Sequence, residues 1–145
     1  MRGSAPARID DKGRLKVPTV FRAQIQDHHG PDVFVTSLTG ESVRIYPMPA
    51  WLDVERKLAA VPSNHPSRLK FLDIVNYYGQ TSELDSQGRV VIPHLLRDKA
   101  SISGEVRVFG RIDYLEVWNE ERIAQKLARD AWTDEDGLRL APFGF

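Results

Sequence analysis

Apolar and polar residues alternate with a period of two at Arg14-Leu-Lys-Val, the rhythm of a strand with one face buried. Ala5 to Ile9 reads as a strand leading into a turn at Asp-Asp-Lys-Gly, where Asp can bond its own backbone and Gly accepts a positive φ. Pro18 ends the second strand. The pattern then changes to a helical one over Thr19 to Gln26, with Val20, Phe21 and Ile25 apolar. Two further strands are predicted at Val33 to Thr36 and Val43 to Tyr46, joined around Thr39-Gly40. A helix follows with Pro49 in its first turn, where proline is tolerated, and with Trp51, Val54 and Leu58 on one face.

Val61 to Ser67 reads VPSNHPS, a linker by composition. A helix is predicted over Arg68 to Tyr78, with Leu69, Leu72 and Val75 or Asn76 as its apolar face. The first plan of elements then returns. Its last helix has Asn119 as N-cap before Glu120 and Glu121, with Ile123, Leu127 and Ala131 on one face. Thr133 to Phe145 is expected to be poorly ordered unless Leu138, Leu140, Phe143 and Phe145 dock on a neighbour.

The return of the plan is a duplication. RIDDKGRLKVPTVFR (8–22) aligns without a gap on ELDSQGRVVIPHLLR (83–97). Asp10, Gly13, Arg14, Pro18 and Arg22 match Asp85, Gly88, Arg89, Pro93 and Arg97, and five more positions pair apolar with apolar. Val33 to Pro47 resembles Val106 to Asn119 in the same order, with Tyr46 answering Trp118. The boundaries that follow are a first repeat at 1–61, a linker and connecting helix at 62–78, a second repeat at 79–131 and a flexible tail at 132–145.

Composition adds exclusions. Hydrophobic residues are 41% and charged residues 28% of 145, ordinary for a soluble globular chain. No apolar run is long enough for a membrane span, and no signal-peptide pattern is seen. With no cysteine, disulfides and thiolate metal sites are excluded, and cytosolic residence is the simplest expectation. The net charge is zero, but residues 1–24 hold Arg2, Arg8, Lys12, Arg14, Lys16 and Arg22 against Asp10 and Asp11 only. The acids gather late, at Glu120, Glu121, Asp130 and the 134–136 run.

In both copies Asp and Arg stand four apart around a Gly turn, so an Asp10–Arg14 ion pair echoed by Asp85–Arg89 is expected to hold the turn and satisfy buried carbonyls. Gly13 and Gly88 are backbone requirements, and Pro18 and Pro93 punctuate strand into helix. Arg14 and Lys16 share one side of a strand, with Lys12 in the turn before them. Such a cluster gains free energy when phosphates of a polyanion release counterions onto it. In the second copy Gln87 and Val91 replace the two lysines. The first turn is therefore the one expected to meet a polyanion, and the second mostly scaffold.

The doubled pattern Asp-x-x-Gly-Arg-φ-x-φ-Pro (φ apolar), followed by an Arg-bearing helix, resembles the MraZ family of bacterial transcription regulators. Arg2-Gly3 also looks like the family's common Met-Phe-Arg-Gly start, without the Phe. The resemblance covers roughly residues 1 to 130. It implies an α+β, β-rich fold: a swapped-hairpin β-barrel of the AbrB/MazE type, built from two internal repeats with flanking helices. It further implies ring-shaped homo-oligomers that bind direct, G-rich DNA repeats upstream of the division and cell-wall gene cluster. Arg14, Lys12, Lys16, Arg89 and Arg8 are the expected DNA contacts. Asp10, Gly13, Pro18, Arg22, Asp85, Gly88, Pro93 and Arg97 are the expected turn residues.

An enzyme is not expected. Each paired Asp has an Arg that holds it ionised and poorly basic, and His28, His29, His65 and His94 lack metal-ligand spacing. No cofactor, small-molecule substrate or membrane partner is expected. The alternative is an AbrB-like antitoxin module whose tail neutralises a protein toxin. Self-association is expected through apolar helix faces that include Trp51 or Trp118.

Overall fold

The computed structural model describes the backbone of residues 1–145 and every side chain except those of His28 and His29. The first repeat runs β1 (Ser4–Ile9), β2 (Arg14–Lys16), α1 (Thr19–His29), β3 (Asp32–Thr36), β4 (Val43–Pro47) and α2 (Met48–Ala59). The connecting helix α3 is Pro66–Tyr77. The second repeat runs β5 (Gln80–Glu83), β6 (Arg89–Val91), α4 (His94–Lys99), β7 (Gly104–Gly110), β8 (Leu115–Asn119) and α5 (Glu120–Arg129), and α6 (Asp134–Leu140) follows. No described helix is long and apolar enough to cross a membrane.

The eight strands form one antiparallel, nearly closed barrel in the order β5-β3-β4-β8-β7-β1-β2-β6. The order exposes the logic of the duplication. β1 pairs with β7 of the other repeat, from Ser4↔Phe109 to Ile9↔Gly104. The equivalent strand β5 pairs back with β3, from Asp32↔Glu83 to Val35↔Gln80. The remaining cross-repeat seams join equivalent strands: β2 to β6 and β4 to β8. Half of such a barrel would leave unpaired strand edges, and the other repeat covers them. This is the swapped-hairpin arrangement.

Alternation along the strands fills the interior. Leu15, Val17, Val90, Ile92, Val35, Ile45, Val108 and Val117 all lie within it, at 2% exposure or less. A second cluster sits outside the sheet, where Phe34 stacks on Trp51 with ring centroids 4.5 Å apart and Tyr46 meets Trp51 edge-on at 5.0 Å. The helix α3 closes this cluster, and Thr36 Oγ1 donates to the Val75 carbonyl at 2.6 Å.

Several expectations need correction. Of the face expected for α3 (Leu69, Leu72 and Val75 or Asn76) only Val75 is buried; Leu69 is half exposed, and the partly buried Phe71 and Ile74 pack on the aromatic cluster instead. Both sets have helical spacing, and the position of the first-repeat aromatics chooses between them. In α5 only Ile123 is buried while Leu127 is exposed, as is Glu55 at the equivalent place in α2. Trp51 and Trp118 are 6% and 5% exposed within their own chain, and Trp118 lies on β8 rather than on a helix, so each leaves little apolar surface for a second subunit. The tail from Thr133, expected to be poorly ordered unless it docks, carries a helix over Asp134–Leu140. Thr133 and Asp136 form a reciprocal capping box that satisfies its first amides, yet none of its residues is buried. Finally α1 extends three residues past Gln26 to His29; the side chains of His28 and His29 lie outside the described residues.

Candidate nucleic-acid interface

Each Asp-x-x-Gly-Arg turn is closed in the same way. Asp10 Oδ1 accepts the backbone N–H of Lys12 at 3.0 Å and of Arg14 at 2.9 Å, and Oδ2 accepts Arg14 Nε at 2.7 Å. Asp85 Oδ1 accepts from Gln87 at 2.8 Å and Arg89 at 2.9 Å, and Oδ2 accepts Arg89 Nε at 3.0 Å. The expected ion pairs are present. Their purpose differs from the expectation, however: a carboxylate only accepts, so it satisfies the turn's amides, and the carbonyls of Asp10 and Asp85 are met by the N–H of Gly13 and Gly88. Both glycines sit in the left-handed region, at φ +79° and +73°.

The N–H of Arg14, joined by its guanidinium, holds the Asp10 carboxyl below the usual carboxylate range; the N–H of Arg89 leads the same effect at Asp85. A lowered native pKa means the turn's stabilisation is intact above the ordinary value of 3.8 and is lost as pH falls through the native value. An NMR titration of the Lys12 and Gln87 amides should therefore show midpoints below 3.8. Midpoints at or above that value would mean the carboxylates are not engaged in solution.

The turns are locked across the repeats. Gly13 O accepts from Ile92 N at 2.8 Å, and Gly88 O accepts from Val17 N at 3.0 Å. The Arg22 side chain lies over Gly88 and its Nη2 donates to Ser86 O at 2.8 Å. The Arg97 side chain lies over Gly13 while its Nε donates to Ile92 O at 2.9 Å. Pro18 and Pro93 stand immediately before α1 and α4, which carry these arginines. The motif arginines Arg22 and Arg97 thus reach into the other copy's turn, a role that one-dimensional reading missed. The signal available was their matched offset from each glycine.

The β2–β6 seam pairs Arg14 with Val91, Leu15 with Val90 and Lys16 with Arg89. Leu15 and Val90 point inward, so Arg14, Lys16, Arg89 and Val91 share the outward face. The register that pairs Ile9 with Leu15 puts Arg8 beside Lys16, and Arg8 faces Glu105 on its other side. A row Glu105, Arg8, Lys16, Arg89 therefore crosses four strands, with exposed Lys12 and Gln87 near the tips of the turns. The two turns are neighbours in this geometry, with Arg89 directly opposite Lys16. Like charges directly opposite on a sheet are unfavourable, and an anion laid across them removes the penalty. With Nε held by aspartate, the terminal guanidinium nitrogens of Arg14 and Arg89 remain free of protein partners among the described residues. Among those residues no group of three metal-ligating side chains converges.

The family model described as "MraZ protein, putative antitoxin-like" matches residues 1–74 and 79–136. A protein of Acidobacterium capsulatum named transcriptional regulator MraZ is 48% identical over 143 residues, spanning 99% of this chain and 98% of its own. One of Koribacter versatilis with the same name is 49% identical over 144 residues, with 99% and 98% covered. A more distant one, from Psychromonas ingrahamii, is 32% identical over 139 residues, with 95% and 90% covered.

Proposed function

The chain belongs to the MraZ family, and from that premise we propose that it is a DNA-binding transcriptional regulator whose two Asp-x-x-Gly-Arg turns lie side by side on duplex DNA. The observation that carries this reading is the outward row of Arg8, Lys16 and Arg89, extended by Arg14 and Lys12, on a chain of zero net charge. A two-stranded β-ribbon fits the major groove. There the free guanidinium nitrogens of Arg14 and Arg89 pair with guanine O6 and N7, while Lys12, Lys16 and Arg8 meet phosphates.

The operator in this reading is a set of direct, G-rich repeats upstream of the division and cell-wall gene cluster. The protein works in the cytoplasm, on the nucleoid. A single subunit offers few phosphate contacts, so affinity comes from a ring-shaped homo-oligomer that presents the turns at the spacing of the DNA repeats. Exposed Trp132, Leu138, Phe143 and Ile112 supply the apolar surface for association that Trp51 and Trp118 do not. A strict monomer by light scattering at micromolar concentration would remove the ring from the proposal.

The direct test is a mobility-shift and anisotropy series against the protein's own upstream DNA at several salt concentrations. Lys12→Ala and Lys16→Ala are each expected to weaken specific and non-specific binding alike, and to reduce the log–log salt slope by about 0.9. A slope unchanged in both variants would take the lysines off the phosphates. The antitoxin-like alternative predicts a stoichiometric toxin in a pull-down that needs residues 133–145; a barrel completed within one chain, rather than by two, weighs against it.

A further inference from the structure

The two repeats build a matching pair of clefts at the far side of the barrel, and the clefts differ in charge. In the first repeat the wall is Tyr46, Ala50, Asp53, Val54 and Lys57, faced by Asp113 and Tyr114 of the β7–β8 hairpin. Position for position, the second repeat supplies Trp118, Arg122, Gln125, Lys126 and Arg129, faced by Thr39, Gly40 and Glu41 of the β3–β4 hairpin, and Lys99 from the end of α4 joins them. The first cleft thus has one lysine against two aspartates. The second has four cations against Glu41.

The two clefts also differ in what packs on the aromatic residue of their wall. Tyr114 stacks on Tyr46 at 4.7 Å, and the Tyr46 hydroxyl accepts from Arg44 Nη1 at 3.1 Å. No aromatic ring covers Trp118 among the described residues, and its Nε1–H is the buried side-chain polar atom among them that lacks a hydrogen-bond partner. Glu116, kept charged chiefly by the Ser42 hydroxyl, is already taken by Ser42 Oγ at 2.7 Å and Arg111 Nε at 2.9 Å. The cations themselves are poorly partnered: Lys126 and Arg129 share Asp130 at 3.5 and 3.8 Å, and the Arg122 side chain reaches only the Lys99 carbonyl among the described residues, at 3.3 Å.

We propose that this cleft binds a small ligand carrying two or more phosphate groups. Its volume of about 430 Å³ suits a molecule of nucleotide size. Two forked guanidinium groups and two ammonium groups match a chain of phosphates, whereas a single monovalent anion would leave most of their charge uncompensated. The polar wall disfavours an apolar ligand. In the strand order β4 and β8 stand half the barrel away from β2 and β6, so a duplex on the turns does not supply these phosphates to the same subunit.

Calorimetric titration of the full chain with pyrophosphate tests the proposal, with a DNA duplex titrated in parallel. Arg122→Ala and Lys126→Val install the residues the first repeat carries at the same places, so the fold tolerates them. Pyrophosphate is expected to bind one per chain, and each substitution to weaken it by about tenfold or more, as loss of a charge-assisted hydrogen bond does. Duplex affinity should be unchanged in both variants, and pyrophosphate binding unchanged in a protein carrying Arg14→Ala and Arg89→Ala. Absence of binding to the wild type overturns the site. Loss in the Arg14 and Arg89 protein alone would put pyrophosphate on the turns instead. Equal losses of duplex and pyrophosphate on changing Arg122 would make the cleft a DNA-backbone contact.

Discussion

Changing Arg14 and Arg89 together to alanine is expected to abolish sequence-specific DNA binding while the barrel stays folded. Each bidentate arginine–guanine pair is worth about 1–3 kcal/mol of discrimination, so the double change removes roughly 2–6 kcal/mol. That reaches the lower part of the ~4–10 kcal/mol that typically separates specific from non-specific binding, and in the proposed ring the loss recurs at every subunit on the DNA. The fold is spared because each aspartate keeps two backbone N–H donors when its arginine is gone. The lost ion pairs are partly exposed and contribute little. The single changes carry the finer information. Sequence divergence at Gln87 and Val91 led to the expectation that Arg14 matters more than Arg89. The β2–β6 seam leads to losses of similar size. Anisotropy with specific and scrambled duplexes measures both. Specific affinity that survives the double change would refute the assignment of the turns as readers of bases.

Gly88→Ala is expected to be among the most damaging single-methyl changes in the protein. A Cβ there would lie 2.4 Å from Arg22 Cδ and 2.6 Å from its Nε, on a backbone at φ +73°. The left-handed conformation alone costs an L-residue about 1–2 kcal/mol. Displacing Arg22 also breaks its bond to Ser86 O, for a total near 2–3 kcal/mol. In a chain of this size that lowers Tm by roughly 5–10 °C. Gly104→Ala separates the two causes, since Gly104 has φ +61° and no described atom within 4 Å of its Cβ position. If thermal melts show Gly88→Ala no worse than Gly104→Ala, Arg22 yields freely and the lock between repeats is not a structural necessity. Gly13→Ala, with Arg97 Cζ at 2.6 Å, should behave like Gly88→Ala.

Much of this architecture was legible in one dimension for a physical reason. A turn that needs positive φ selects glycine, an aspartate that caps amides sits at a fixed offset, and a strand with one wet face must alternate. These are local constraints, so DDKGR and DSQGR announced themselves, as did the strands beside them and the N-cap at Asn119. Long-range pairing has no such local signature. Leu69 and Ile74 are equally apolar, and only the position of Trp51 and Phe34 decides which faces inward. The tryptophans looked like association surface until the fold supplied partners that cover them. Thr133 and Asp136 carried a capping signal that the polar composition of the tail obscured.

Read in one dimension, the chain is already two copies of one unit, and each copy makes the same aspartate-closed glycine turn followed by a strand, a proline and an arginine-bearing helix. Those features are fixed by interactions spanning a handful of residues. Tertiary structure alone decided where the two turns lie. Because hairpin edges are satisfied by the opposite repeat, β2 meets β6, Lys16 faces Arg89, and Arg22 and Arg97 close over the other copy's glycines. The charge difference between the copies, read along the chain as a division of labour, becomes in three dimensions one continuous cationic row.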